Sequence, residues 1–191
     1  MPLILSGITL ALIAAVGVAV PLMNLLLQYE LITTQRQQLE ELMAELMLRV
    51  PHAGKLLEIK GVGMMTAAVI ISEIGDISRF QDPRQILKMA GLSLKENSSG
   101  KHKGKTKISH RGRKRLRYWL FQAARSVVVH SEEFRELHVY YTTRPENPLK
   151  KMQSLIVIAC KLLRVIYTIL TKGTVYDPKK LMADIKRPGR L

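Results

Sequence analysis

Three features of the sequence predict an all-α chain. Apolar residues recur at steps of three and four through long runs, strand-like alternation is nearly absent, and Gly and Pro fall between the periodic runs. Two β-prone clusters, Val69 to Ile71 and Val127 to Val129, sit inside helical periodicity and read as helix. The segments run in order as an apolar N-terminal helix over 1–29, a coiled-coil segment over 30–50, a compact helical domain over 51–173 with a helix-hairpin-helix element, and a basic tail over 174–191.

Met1 to Tyr29 carries no charged residue and is long enough to cross a bilayer as a helix. It lacks the Lys/Arg start of a secretory signal, and Gly7, Gly17, Pro21 and Asn24 interrupt it, which argues against a cleaved leader. Charge placed after the run would keep the remainder cytoplasmic, so a membrane anchor through 1–29 is compatible with work on nucleic acid. The favoured expectation is instead an apolar helix buried against a partner or left by truncation, in a cytoplasmic, nucleoid-associated protein.

From Leu22 the apolar positions form a heptad seam: Leu22, Leu25, Tyr29 and Ile32, then Leu39, Met43, Leu46 and Val50, with Arg36 as a polar intruder. Steps of three and four place these on one stripe, as in a coiled coil that pairs protomers into a homo-oligomer or folds back on its own domain. An ordinary amphipathic helix fits so few heptads equally well. Pro51 ends the run.

Beyond Pro51 an apolar helix is expected to end at Lys60, turn through Gly61-Val62-Gly63, and restart at Met64. The arrangement resembles a helix-hairpin-helix, with Ile59 and Val62 as its apolar clasp and Ala67 and Ala68 allowing close packing. Unpaired N–H groups at the second helix would suit a phosphate oxygen, giving Gly61, Val62, Gly63 and Thr66 as candidate backbone contacts.

The stretch SSGKHKGKTKISHRGRKRLR, Ser98 to Arg117, sets a Ser-Ser-Gly turn beside nine Lys/Arg with no acid among them. Such a segment seeks phosphate, and its affinity for a polyanion should fall steeply with salt. The whole chain has 30 basic and 15 acidic residues, a net +15, and from Lys95 onward the balance is 23 to 7. That asymmetry marks contact with nucleic acid or an anionic surface. Gly100, Lys101, Lys103, Lys105, Lys107, Arg111, Arg113, Lys114 and Arg117 are the candidate DNA contacts.

Arg115 to Val128 places Leu116, Trp119, Leu120, Ala123, Ala124 and Val127 at helical spacing, with Trp119 as a buried anchor. Tyr140 and Tyr141 lack the Arg and His set of a tyrosine recombinase and read as core or edge aromatics. Pro148 opens a last long helix, Met152 to Leu170, closed by Lys172-Gly173, and the end from Lys179 to Arg190 should be a mobile basic tail. The lone Cys160 excludes an internal disulfide and suits a small core residue, and no Cys/His pair has zinc-ligand spacing.

Taken in order, GVGMMTAAVIISEIGDISRF, DPRQILKMAGLSLKENSSGKHKGKTKISHRGRKRLRYWLFQAA and EFRELHVYYTTRPENPLKKMQSLIVIACKLLRVIYTILTKG resemble the C-terminal half of insertion-sequence transposases of the IS-one-ten, or Piv/MooV, type. The likeness covers about Leu56 to Gly173. It implies RNA-guided DNA recombination at a composite site, where a serine of a Ser-Gly motif attacks a phosphodiester. An acidic DEDD tetrad of a RuvC-like domain, from a different protomer, would bind magnesium. The family's motif falls on Ser99-Gly100, which makes Ser99 the implied nucleophile and Ser98 the alternative. Lys101, Lys103 and Arg111 would stabilise the developing phosphorane charge.

Two departures stand out. Leu94 occupies a position where many relatives have proline, and the RuvC-like half is expected to be missing from this chain. Glu30, Glu40, Glu41, Glu73, Asp76 and Asp82 lack the strand-borne arrangement of a DEDD site, so no metal or cofactor is expected on the chain itself. Glu40, Glu41 and Glu45 read as solvated helix positions, and Asp76 and Asp82 as caps. The glycine hairpin and the cationic arm are expected to converge around Ser99. The partners that follow are DNA and, by resemblance, a guide RNA. The competing functions are an inactive DNA- or RNA-binding remnant and a membrane-anchored basic protein.

Overall fold

A computed structural model describes the backbone of residues 2–95, 98–99, 102–103 and 107–183, and the side chains of 15–94 and 107–183. The chain divides into two units, Met1–Ala44 and Glu45–Leu191. The first is helix throughout its described length, as part of α1 (Pro2–Leu48), which runs through Pro21 without a break. The apolar segment 1–29 and the heptad segment are thus parts of one element. Its seam faces solvent in the single chain: Leu25 is 63% exposed, Tyr29 70% and Ile32 64%. Among the described residues two helices are, by length and composition, apolar enough to cross a membrane, Ala15–Leu48 and Lys151–Lys172, but much of the second lies in the core.

The second unit is built around α6 (Lys151–Lys172), whose apolar stripe runs from Ile158 through Leu162 and Ile166 to Ile169, with the polar Ser154 buried ahead of it. Steps of three and four give this helix one continuous core face. Against it pack α4 (Lys114–His130), through Leu116, Leu120, Ala123 and Val127, and α5 (Glu132–Thr143), through Phe134 and Leu137. Helix α2 (Met64–Ile74) lies on α4, and α3 (Pro83–Met89) lies on α6. Gly173 ends α6 in the left-handed region at φ 61°, as the Lys172-Gly173 signature predicts. The β-prone clusters are helical as expected. Cys160 is largely buried on α6, and that burial pushes its thiol up to about 11, so it stays protonated and inert near neutral pH.

Two expectations need correction. The element before the glycine turn is a short 3-10 helix, Ala53–Glu58, rather than an α-helix running to Lys60. Part of the segment read as a mobile tail is packed: the Tyr176 ring stacks on Phe134 at 6.3 Å, and Leu181 of α7 (Pro178–Ala183) is 8% exposed. Burial, with the carboxylate of Glu133 nearby, pushes the Tyr176 phenol up to about 12. Residues 184–191 lie outside the described set. Strand is nearly absent, as expected: among the described residues it amounts to four pieces of two residues each, β1 (Leu94–Lys95), β2 (Ser98–Ser99), β3 (His102–Lys103) and β4 (Lys107–Ile108).

Gly61 shows why the turn between Glu58 and Met64 needs glycine. Its φ is +96°, and a Cβ built there would lie 2.8 Å from Val127 Cα and 2.9 Å from the Ser126 carbonyl. The turn is pressed against the backbone of α4, where no side chain fits. Gly61→Ala should therefore destabilise the domain by about 2–3 kcal/mol in urea unfolding, combining positive-φ strain with overpacking. An unchanged midpoint would refute this packing.

Candidate nucleic-acid interface

The cationic arm leaves the helical core after α3 and returns at α4, through a neck that two glycines make possible. The Ala90 end of α3 leads to Gly91 at φ +71°, and the returning chain passes Gly112 at φ +142°. A Cβ on Gly112 would stand 2.2 Å from the Met89 carbonyl oxygen, and one on Gly91 would meet the Arg117 guanidinium at 2.7 Å. Across the neck, the Arg113 N–H donates to Met89 O at 2.7 Å, His110 N–H to Gly91 O at 3.1 Å, and Ser109 N–H to Ser93 O at 2.8 Å.

Two antiparallel ladders continue outward from the neck. β1 pairs with β4, Leu94 opposite Ile108 and Lys95 opposite Lys107; β2 pairs with β3, Ser98 opposite Lys103 and Ser99 opposite His102. Leu94, where the resemblance implies a proline in many relatives, stands opposite Ile108 in the first ladder. The backbones of Ser98 and Ser99 are therefore strand positions, but their side chains, and that of Lys103, lie outside the described residues, as do Gly100, Lys101 and Lys105 altogether.

At the arm's root, the first turn of α4 concentrates positive charge. Arg113 is its N-cap residue, Lys114, Arg115 and Arg117 follow, and the turn holds no acid. Cations at the positive end of a helix dipole are unfavourably placed, and a bound anion relieves them. Two of these side chains also brace the fold. Arg117 Nη1 donates to Ala90 O at 2.9 Å and to His110 O at 3.3 Å, and Arg113 Nη1 donates to the Glu73 carbonyl. Arg115 Nε meets Glu73 Oε1 at 3.3 Å. Lys107, Arg111 and Lys114 are exposed.

The glycine hairpin lies elsewhere. Gly63 is the exposed N-cap of α2 and makes no side-chain cap hydrogen bond, Thr66 is half-buried, and Val62 is 4% exposed beside fully buried Ile59. The Val62 N–H is used locally, donating to Ile59 O at 2.9 Å. Gly61 abuts Val127, near the C-terminal end of α4, whereas Glu73, at the other end of α2, is held by Arg113 and Arg115. The α2 helix thus separates the hairpin from the arm's root by its own length, about 15 Å. The expected convergence of the two is not built at the root.

The acids behave as caps and braces. Asp76 accepts from Ser78 N–H at 2.9 Å and Asp82 from Arg84 N–H at 2.7 Å; these bonds, led by the Ser78 hydroxyl and the Arg84 side chain respectively, hold both carboxyls below their usual range. Among the described residues no three His, Cys, Asp or Glu side chains gather as metal ligands, so these residues do not fit a magnesium centre. Tyr140 and Tyr141 are half-buried and stack edge to face at 5.5 Å, with Arg144 5.8 Å over the Tyr141 ring. Half-buried Trp119 packs on the core. Sequence reasoning missed Gly112 and Glu73 as the residues that fix the arm. Gly112, between two arginines, was readable as a turn residue, but nothing in the sequence linked Glu73 to the arm.

Residues 53–139 match the family described as Transposase IS116/IS110/IS902. The chain is 30% identical over 147 residues to the transposase for insertion sequence element IS1328 of Yersinia enterocolitica, covering 74% of this chain and 43% of that protein. It is 32% identical over 130 residues to the putative transposase y4rJ of Sinorhizobium fredii, covering 66% and 32%. It is 30% identical over 130 residues to the pilin gene-inverting protein of Moraxella bovis, covering 67% and 39%. The chain thus matches less than half the length of each of these relatives.

Proposed function

Because residues 53–139 are a domain of the IS116/IS110/IS902 transposase family, we propose that this chain is the DNA-contacting and strand-joining part of a serine-dependent insertion-sequence transposase. Its acidic RuvC-like counterpart would be supplied by a partner polypeptide, and magnesium would be held there and not among the residues described above. The observation that carries the reading is the arm: a ladder bearing Ser99 is rooted by a glycine neck beside a helix N-terminus crowded with cations, whose own first turn carries no acid.

In this reading the Ser99 oxygen attacks a backbone phosphorus and forms a serine-phosphate ester. The bond from phosphorus to the leaving sugar oxygen breaks, and that oxygen takes the proton the serine gives up. The cations of the arm would stabilise the added charge on the phosphorane. The exposed seam from Leu22 to Leu46 supports pairing of two copies through α1. The guide RNA that the resemblance implies would draw on the same cations.

DNA contact by the arm is tested through salt. Replacing Lys107, Arg111 and Lys114 by Gln should flatten the dependence of log K on log salt by about 2–3 units for duplex DNA, each lost phosphate contact contributing about 0.9. All three are exposed, so the melting temperature should hold. An unchanged slope would remove the arm from the interface.

A further inference from the structure

A second cationic site lies away from the arm. Between α6 and residues 174–181 is a cavity of about 420 Å³, none of whose lining residues belongs to the arm or the glycine hairpin. That size is within the range of about 300–1,000 Å³ typical of ligand sites. Its lining combines apolar surface from Val165 and Val175, over the buried Ile169, with the cations Arg164, Lys172 and Lys180. The acid among them, Asp177, is already engaged: it accepts from Lys179 N–H at 2.9 Å and meets Lys180 at 4.0 Å. The Tyr176 stack on Phe134 and the buried Leu181 fix the wall that α7 provides. Val175 nevertheless remains 61% exposed at the cavity.

Two features define what fits. Arg164 and Lys172 stand eight residues apart on α6 with Thr168 between them, so the two cations are separated by about 12 Å along one face, the scale of two phosphate-to-phosphate steps on an extended strand. The apolar surface would gain nothing from duplex DNA, whose bases are stacked inward, but it would gain from the flat face of an unstacked base. We infer that this cavity holds one nucleotide of a single-stranded polynucleotide, its base against Val165 and Val175 and phosphates two steps apart in the strand on Arg164 and Lys172. The inference takes its ligand class from the proposed function and adds a site that the reading does not require.

The test compares binding of fluorescent oligothymidylate, oligouridylate and a short duplex to the full chain. Val175→Glu should weaken an oligonucleotide about tenfold, as loss of one base contact and an added like charge would, while duplex binding changes less than about twofold. Lys172→Gln should lower the oligonucleotide salt slope by about 0.7. Whichever oligonucleotide loses more identifies the strand as DNA or RNA. Thermal melting serves as the folding control, with Thr168→Glu, at another exposed position, replacing Val175→Glu if that variant melts early. Unchanged oligonucleotide binding, or equal losses for duplex and single strands, would overturn the site. Failure of the Lys107, Arg111 and Lys114 variant to alter duplex binding would instead overturn the arm.

Discussion

Ser99→Ala is expected to lower strand joining by about a thousandfold or more when the chain is supplied with a RuvC-like domain in trans, because removing a nucleophile removes the covalent route and not merely one of its supports. DNA affinity should stay within about twofold, since an uncharged hydroxyl contributes little to the salt-dependent term. Ser98→Ala is the matching control. The two serines occupy successive positions of one ladder, Ser98 opposite Lys103 and Ser99 opposite His102. The measurement is joined product per turnover, together with recovery of a serine-phosphate linkage on DNA after proteolysis. If Ser99→Ala joins strands at the native rate, the serine mechanism is wrong for this chain; if Ser98→Ala alone fails, the register is off by one.

The second large effect is predicted at the neck. Gly112→Ala would force a side chain into a backbone conformation at φ +142° with its Cβ 2.2 Å from the Met89 carbonyl oxygen, the same oxygen that accepts the Arg113 N–H at 2.7 Å. Neither atom belongs to a flexible side chain, so the strain is relieved only by opening the neck. The expected cost is about 3 kcal/mol, seen as a fall in melting temperature of roughly 10 °C. Duplex binding should weaken with it, as the exposed cations lose their fixed placement relative to one another. A variant that melts and binds as the native protein does would show that the arm's position does not depend on this crossing.

Much of this organisation was legible because it is periodic or local. The α6 stripe, the α4 core face, the caps at Asp76 and Asp82, and the stop at Gly173 all follow from residues close together in sequence. The packing of Tyr176 on Phe134 was not legible, because a short segment rich in Lys and Pro has no pattern that announces a long-range aromatic stack. The 3-10 turn at Ala53–Glu58 was read as α-helix because six residues are too few for the two periods to differ. At the site, the clustering of charge was visible in the sequence, but its support was not. That support comes from the Glu73 contacts and from Gly112, both set by how α2 and α4 lie side by side.

The antiparallel lie of α2 and α4 also acts as a ruler. A double helix held at once by the amides of the Gly63 end and by the cations around Arg113 would be touched at points about 15 Å apart. At 3.4 Å per step that is about four to five base pairs, just under half a turn. Footprinting of such a complex should therefore show two protected patches offset by that interval and displaced around the cylinder, where a single cluster would leave one.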